Sequence, residues 1–440
     1  MSTEEKKIVP KNTEQLSSEE SDPGTRDQNA IGDVSRRTFL RLSALAGAGV
    51  SLAEHGAAWP ARAQSVHEGR LEEATVAELQ SAMAAGRLNS VALTNFYINR
   101  IRGLDQHGPG VNSVIELNPD APSIARDADA MRRRGMVLGP LHGIPVLLKD
   151  NIDTGDRMQT TAGSFALAGQ PALSDSTVAA KLRAGGAVIL GKTNLSEWAN
   201  FRSFFSTSGW SGRGGLTHNP YSLDRNACGS SSGSAAAVSA NFAAVSVGTE
   251  TDGSIVCPAN ASGVVGIKPT VGLTSRAGVV PISHTQDSVG PHGRTVADAA
   301  ALLNVLASRT PDPRDPATAG VPLGWQGTGR PRPALPADYT VFGDPNGLSG
   351  ARIGVTRQGI DNAPPQVVAV FDAAVAAIAA AGATVVDLDG SGFTFAPADG
   401  EFLVLLFEFK LDVQQYFATR VGVPMASKTL ADAITFNDAN

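Results

Sequence analysis

The sequence predicts an α/β fold with a largely buried sheet. Three observations carry that expectation. Short apolar runs alternate with longer stretches of helical period over most of residues 75–307, the pattern of strands joined through helices. Those runs are apolar at consecutive positions instead of alternate ones, as in strands buried on both faces. The chain has 440 residues, 42% of them hydrophobic and 18% charged, which is enough apolar material to cover such a sheet.

Residues 1–34 are polar and rich in Ser, Glu, Asp and Lys, so they bury too little to fold. "SRRTFLRLSALAGAGVSLA" follows at 35–53. Its Arg36-Arg37 pair ahead of Phe39 and Leu40 resembles a twin-arginine export signal, and the Ala/Gly-rich stretch behind it is too short to span a bilayer. "ARA" at 61–63 reads as a small-x-small cleavage site before Gln64. Residues 1–63 are therefore set outside the fold. The expected mature chain, 64–440, is periplasmic or secreted, is carried by the twin-arginine export machinery, and keeps no stable membrane insertion after processing.

Two amphipathic helices are expected between Thr75 and Leu104, split at "AAGRLNS", and a third begins near Pro122. That third helix closes on Arg132-Arg133-Arg134, where cations suit the helix C-terminus, so the run is a solvated helix end and not a binding patch. In "LGPLHGIPVLLKDNID" (138–153) the strand runs from Ile144 to Leu148 and ends in Lys149. "STVAAKLRAGGAVILGKTNLSEWAN" (176–200) reads as helix, Gly-Gly turn, buried strand Ala187–Leu190 and loop. "AAVSVGTETDGSIVCPA" (243–259) reads as strand, loop and helix, "GVVGIKP" (263–269) as strand, and "TVADAAALLNVLA" (295–307) as helix. A Pro/Gly-rich segment from Thr310 to Gly350 precedes a second pass, with strand "ARIGVT", helix "PQVVAVFDAAVAAIAAAG" and strand "ATVVDLD". The closing "DAITFNDAN" offers no obvious finishing element.

A net charge of −6 with no Lys/Arg face argues against nucleic acid as a partner. Cys228 and Cys257 are too few for a disulfide framework or a zinc site. Packed small thiols are expected of them, with a bridge as the alternative.

Two short patterns tempt and fail. Gly186 to Thr193 matches the P-loop letter for letter, but its four intervening residues are themselves an apolar strand and leave no free N–H cradle. Gly229-Ser230-Ser231-Ser232-Gly233 matches the nucleophile elbow around Ser231, but a polar loop precedes it, and His284 and His292, the two histidines that follow, look structural. A different base is available. Lys149 ends an apolar strand, where burial lowers a lysine pKa from its usual value of about 10.4, and a neutral amine can act as general base. Alone, it reads as a solvated strand cap. Ser254, after Asp252-Gly253 at a helix start, reads alone as an N-cap. Yet the N–H groups at that start could also hold an oxyanion.

Together, Lys149 in "PVLLKD", the block "GSSSGSAAAVSAN" and "GTETDGSIVCPANASGVVGIKPTVGLTSRAGVVPIS" resemble the amidase signature family over roughly residues 71–440. The resemblance implies that family's α/β/α sandwich, a large mixed β-sheet between α-helices, and a Ser–cis-Ser–Lys triad. Ser254 would be the nucleophile, Ser230 the relay at a cis peptide, and Lys149 the base. Backbone N–H groups of Thr251, Asp252, Gly253 and Ser254 would form the oxyanion hole, with Ser231 supporting the turn. The implied reaction runs through an acyl-enzyme on a small-molecule or peptide amide, with no metal or cofactor. Departures set the subtype. Cys228-Gly229 and Ser232-Gly233 stand where the commoner signature has glycine pairs. Ser254-Ile255-Val256 stands where many members, including the glutaminyl-tRNA amidotransferase subunit, carry "SIR". The form "TETDGSIVCP" resembles stand-alone bacterial amidases of the peptide amidase type. The expected reaction is cleavage of a carboxylic or C-terminal peptide amide to acid and ammonia, with the "TTAGS" loop (160–164) helping to choose the substrate. Fatty-acid or aryl amides and esters are the alternatives. So is an amidase-fold protein impaired by a short C-terminal region, part of which this chain is expected to lack.

Overall fold

The computed structural model describes residues 71–320, 334–360, 362–395 and 400–440. The expected export signal and its cleavage site lie outside the described residues. The first described helices, α1 (Val76–Ala84) and α2 (Ser90–Arg100), are the expected pair. Each start is fixed by a side chain that takes an orphan N–H. Thr75 Oγ1 accepts from Glu78 N while Glu78 returns to Thr75 N, and Asn89 Oδ1 accepts from Ala92 N at 2.7 Å.

Six strands form the central sheet: β1 (Val114–Leu117), β2 (Pro145–Lys149), β3 (Val188–Thr193), β4 (Val245–Glu250), β5 (Val265–Gly266) and β6 (Ser288–Gly293). Their order is β1-β3-β2-β4-β6-β5. β2 pairs parallel with both β3 and β4, and the outer pairings are antiparallel, so the sheet is mixed. Every residue of β2, β3, β4 and β6 is buried, as the consecutive apolar runs require. The covering helices are α3 (Ala121–Arg133), α4 (Thr177–Ala184), α5 (Ser232–Ser239), α6 (Val256–Ala261) and α7 (Val296–Leu306).

Strand β3 runs three residues past its expected end and carries Lys192 into the sheet, which removes the P-loop pattern for the reason given by its sequence. Lys192 Nζ instead donates to the Ile152 carbonyl at 2.6 Å and Thr160 Oγ1 at 2.9 Å. Gly191 is needed there, because a Cβ would stand 2.5 Å from the Glu116 carbonyl on β1. The segment ahead of the serine block is less irregular than a polar loop, since Ser222–Asn226 pairs with His218–Asn219 in a short hairpin.

The second pass forms its own parallel pair, β7 (Arg352–Val355) with β8 (Thr384–Asp387), joined through α8 (Pro365–Ala380). Two helices follow, α9 (Glu401–Ala418) and α10 (Leu430–Ala439), the latter built from residues that looked unfinished in the sequence. Leu405, Phe409, Val413 and Phe417 of α9 pack with Leu167, Trp198, Val280 and Ile282 into a second apolar cluster beside the sheet. Among the described residues no helix is long and apolar enough to cross a membrane.

Cys228 and Cys257 are bridged, which corrects the expectation of packed thiols. The fold brings their Cα atoms to 5.9 Å, within bridging range. Cys257 is also exposed, where a small apolar thiol gains little from packing.

Gly233, in the first turn of α5, is the tightest backbone approach near the serine block. A Cβ there would meet the Ser113 carbonyl at 2.2 Å and the Asn194 carbonyl at 2.6 Å. Gly233→Ala is expected to destabilise the fold by about 3 kcal/mol through overpacking, read as a lowered urea midpoint at unchanged slope.

Candidate active site

Strands β2 and β4 are parallel neighbours, so Lys149 and Glu250 end them at the same edge of the sheet. That carboxyl edge is where open α/β sheets place their sites. The loop Ala227–Ser231 reaches the same edge before α5, and its Gly229–Ser230 peptide is cis.

Lys149 has no exposed surface. Its Nζ lies 2.8 Å from Ser230 Oγ and donates to Thr249 Oγ1 at 2.8 Å and the Thr249 carbonyl at 3.3 Å. Burial away from water pushes the amine down to about 7, against the opposing pull of the Asp287 and Glu250 carboxylates. Asn151 Nδ2 holds Thr249 Oγ1 from the other side at 3.0 Å.

Ser230 and Ser254 both line a narrow cleft, together with Asn151, Thr249, Thr251 and Val280. Among the described residues no hydrogen bond is made by Ser254 Oγ, and none links it to Ser230. The two loops are tied through the backbone instead. Ser231 N donates to the Ser254 carbonyl at 3.1 Å, and Ser231 Oγ donates to the Thr249 carbonyl at 3.0 Å. Ser231 thus lies behind the cleft, against β4. Ser254 is not an N-cap, since α6 starts two residues later and the side chain caps nothing.

Four N–H groups were expected to face an oxyanion. Those of Thr251, Asp252 and Ser254 have no partner among the described residues. Gly253 N is already committed, donating to Glu250 Oε1 at 3.0 Å, so the four-donor expectation is corrected to three. Glu250 Oε2 also accepts from Ile255 N at 2.7 Å and Val256 N at 2.9 Å. A carboxylate there satisfies orphan donors and complements the positive end of α6. Sequence reasoning missed Glu250, although an acidic residue just ahead of a helix start was the available signal. It missed Thr249 as well, whose role depends on strand register and leaves no local mark.

Asp287 fixes the loop from the opposite wall. It accepts from Thr251 Oγ1 at 2.5 Å, Ile282 N at 2.8 Å and Ser283 N at 3.0 Å, while burial pushes its carboxyl up. Arg276 also lines the cleft, but Asp315 engages it at 2.6 Å. Among the described residues no histidine lines the cleft. His292 is buried on β6 with its pKa lowered to about 4 by desolvation, so it stays neutral and structural. Thr160–Ser164 are not among the residues lining this cleft. Thr160 and Thr161 are buried behind it, bound to Lys192 and Asp150. Among the described residues, His284, Glu408 and Asp412 form the one group with metal-ligand proximity. Here it serves as a polar tie of α9 to the cleft wall, with His284 Nδ1 2.8 Å from Asp412 Oδ2.

The Amidase family pattern matches residues 92–437. A probable amidase of Arabidopsis thaliana is 43% identical over 378 residues, covering 84% of this chain and 68% of the plant protein. A putative amidase of Arthroderma benhamiae is 45% identical over 311 residues, covering 70% of this chain but 50% of its own length. Among solved structures, native peptide amidase from Stenotrophomonas maltophilia superposes with a TM-score of 0.74 at 49% identity, covering 83% of this chain and 72% of that one. A mixed sheet of this topology, matched at such identity to amidases, defines a hydrolase of amide bonds. The chain belongs to the amidase family, with the amidase signature fold.

Removing the cap carboxylate should be costly. Glu250→Ala leaves three N–H groups without their acceptor and is expected to lower stability by about 2 kcal/mol. Glu250→Gln, which keeps one acceptor oxygen, should recover part of that loss in the same urea titration.

Proposed function

We propose that the chain is a serine amidohydrolase that cleaves a carboxylic or C-terminal peptide amide to the acid and ammonia through an acyl-enzyme on Ser254. The observation that carries this reading is Lys149 Nζ at 2.8 Å from Ser230 Oγ in complete burial. A neutral amine has two N–H donors and one lone pair. With both donors taken by the Thr249 oxygens, the lone pair is left for the Ser230 hydroxyl proton.

Ser254 attacks the amide carbonyl and passes its proton to Ser230, which passes its own to Lys149. The oxyanion takes the open N–H groups of Thr251, Asp252 and Ser254, each such donor being worth about 3 kcal/mol in the transition state. The proton then returns along the same path to the leaving nitrogen, ammonia departs, and water hydrolyses the ester. Glu250 and Asp287 hold the loop so that these N–H groups need no rearrangement as charge develops.

The cleft wall supports a neutral amide. Val279, Val280 and Ile282 are apolar, and Arg276 is spent on Asp315, so a free carboxylate would be desolvated there without a partner. The likeness to a protein named peptide amidase supports the C-terminal peptide amide within that class. Export belongs to the same proposal. The Arg36-Arg37 segment would engage the twin-arginine export machinery, and a disulfide persists in oxidising compartments outside the cytoplasm. With net charge −6, no nucleic-acid partner is proposed.

The amine works as a base only when neutral, so kcat/KM for ammonia release should rise with pH through about 7 and level off above it. In Lys149→Ala, hydroxide replaces the amine, so the deficit should be greatest at and below neutral pH and narrow as pH rises. A profile identical in shape to the parent's removes Lys149 from the reaction. Ser254→Ala should lower kcat by about 10⁴-fold or more and abolish labelling by a fluorophosphonate. Labelling at any other serine sinks the assignment.

A further inference from the structure

Ser230 and Ser254 come from different segments, and no hydrogen bond joins their hydroxyls among the described residues. Their mutual geometry is therefore set by whatever couples the two loops. One link is the Ser231 N–H to the Ser254 carbonyl at 3.1 Å. The Cys228–Cys257 disulfide is a covalent second. Cys228 stands two residues before Ser230, on the near side of the cis Gly229–Ser230 peptide. Cys257 stands three residues after Ser254, in the first turn of α6.

Each half-cystine is also fastened to its own serine loop. The Cys228 carbonyl accepts from Ser232 Oγ at 2.5 Å, its N–H donates to Asn226 Oδ1 at 2.7 Å, and Cys257 N donates to the Gly253 carbonyl at 2.8 Å. A shift of either sulfur is thereby felt at the adjacent serine. The backbone adds a second observation. Cys228 has φ +58, a left-handed conformation that glycine adopts freely and that a residue with a Cβ adopts at a cost. What cysteine brings to that position and glycine lacks is the sulfur. Cys257 is exposed and Cys228 half-buried, so a small thiol reaches the bond.

We propose that the Cys228–Cys257 disulfide is a positioning element that holds Ser230 and Ser254 in register for proton transfer, so that turnover depends on the oxidised state. The inference rests on the serine amidohydrolase reading above. Reduction by a dithiol transfers two electrons and two protons: the Cys228–Cys257 bond breaks, two cysteine thiols form, and the dithiol closes to its own disulfide. A disulfide oxidant such as oxidised glutathione reverses the exchange and leaves as two thiols. Substrate binding should change little, because the apolar wall of Val279, Val280 and Ile282 belongs to another segment. Small misplacements of reacting groups cost up to about 100-fold in rate, so the loss belongs in kcat.

The test uses the full chain. kcat and KM for ammonia release from one amide, and the rate of Ser254 labelling by a fluorophosphonate, are measured as purified, after dithiothreitol, and after reoxidation by oxidised glutathione. Thiols are titrated and circular dichroism is recorded at each stage. The expected result is no titratable thiol at first and two after reduction. kcat and the labelling rate then fall about 10- to 100-fold, KM stays within about twofold, the spectrum is unchanged, and activity returns on reoxidation. Cys228→Ser/Cys257→Ser should match the reduced enzyme and ignore dithiothreitol. Two thiols in the purified protein, an unchanged kcat after two thiols appear, or a fall that only tracks loss of folded protein each overturns the proposal. An oxidised enzyme that neither releases ammonia nor labels at Ser254 overturns the amidohydrolase reading and this inference with it. Activity indifferent to redox state overturns this inference alone.

Discussion

Lys149 carries a long cationic side chain with no exposed surface, set at the end of the central parallel strand β2. An ammonium in that position loses its hydration, and the sheet supplies only part of the compensation. The Thr249 oxygens accept its N–H groups, while the carboxylates of Asp287 and Glu250 act through space without touching it. The balance brings the amine's pKa down to about 7, well below that of a solvated lysine or one in a direct ion pair. Lys192, the neighbouring buried lysine on β3, shows the contrast. Burial lowers its pKa as well, against the pull of Asp150 and Asp153, but it spends its donors on Ile152 and Thr160, away from the cleft.

Much of the remaining geometry serves that one side chain from strand β4 and its exit. Thr249 meets the amine, Glu250 gathers the N–H groups of Gly253, Ile255 and Val256, and Thr251 is pinned by Asp287. Six consecutive residues, Thr249 to Ser254, therefore contribute an amine ligand, a helix cap, open N–H donors and the proposed nucleophile. At Glu250 the backbone amides of Gly253, Ile255 and Val256 take the place of a side-chain cation. Opposite them, α9 closes the structure through Tyr416 Oη to Asp153 at 2.8 Å and through the His284–Asp412 contact. The cleft wall of residues 276–287 is thus braced between the sheet and a helix more than a hundred residues further along the chain.

Helices with clear caps and strands with consecutive apolar residues were legible, because both signals are local. Thr75, Asn89 and Thr295 each hold a helix start where a Ser/Thr/Asn precedes the periodic run. The end of β3 was not legible. Gly191-Lys192-Thr193 reads as loop, and the strand continues because β1 and β2 pair with it on either side and Ile152 and Thr160 receive the Lys192 amine. The same reason hid the Gly253 commitment to Glu250, since four consecutive N–H groups look alike in sequence until the loop turns one of them inward. The cysteines were ambiguous because two residues 29 apart carry no distance information.

By itself the sequence determined the α/β class and the candidate residues Lys149, Ser230 and Ser254. The class follows from composition and periodicity, and the residues follow from the resemblance of an ordered set of motifs to the amidase signature family; all of these are written along the chain. Tertiary structure alone decided that β2 and β4 are parallel neighbours, that Thr249 is the residue beneath the amine, that three N–H groups stay open, and that Cys228 meets Cys257. Each of those depends on which segments become neighbours in space. Burial, and with it the pKa of a lysine, is a property of that neighbourhood and not of the residue.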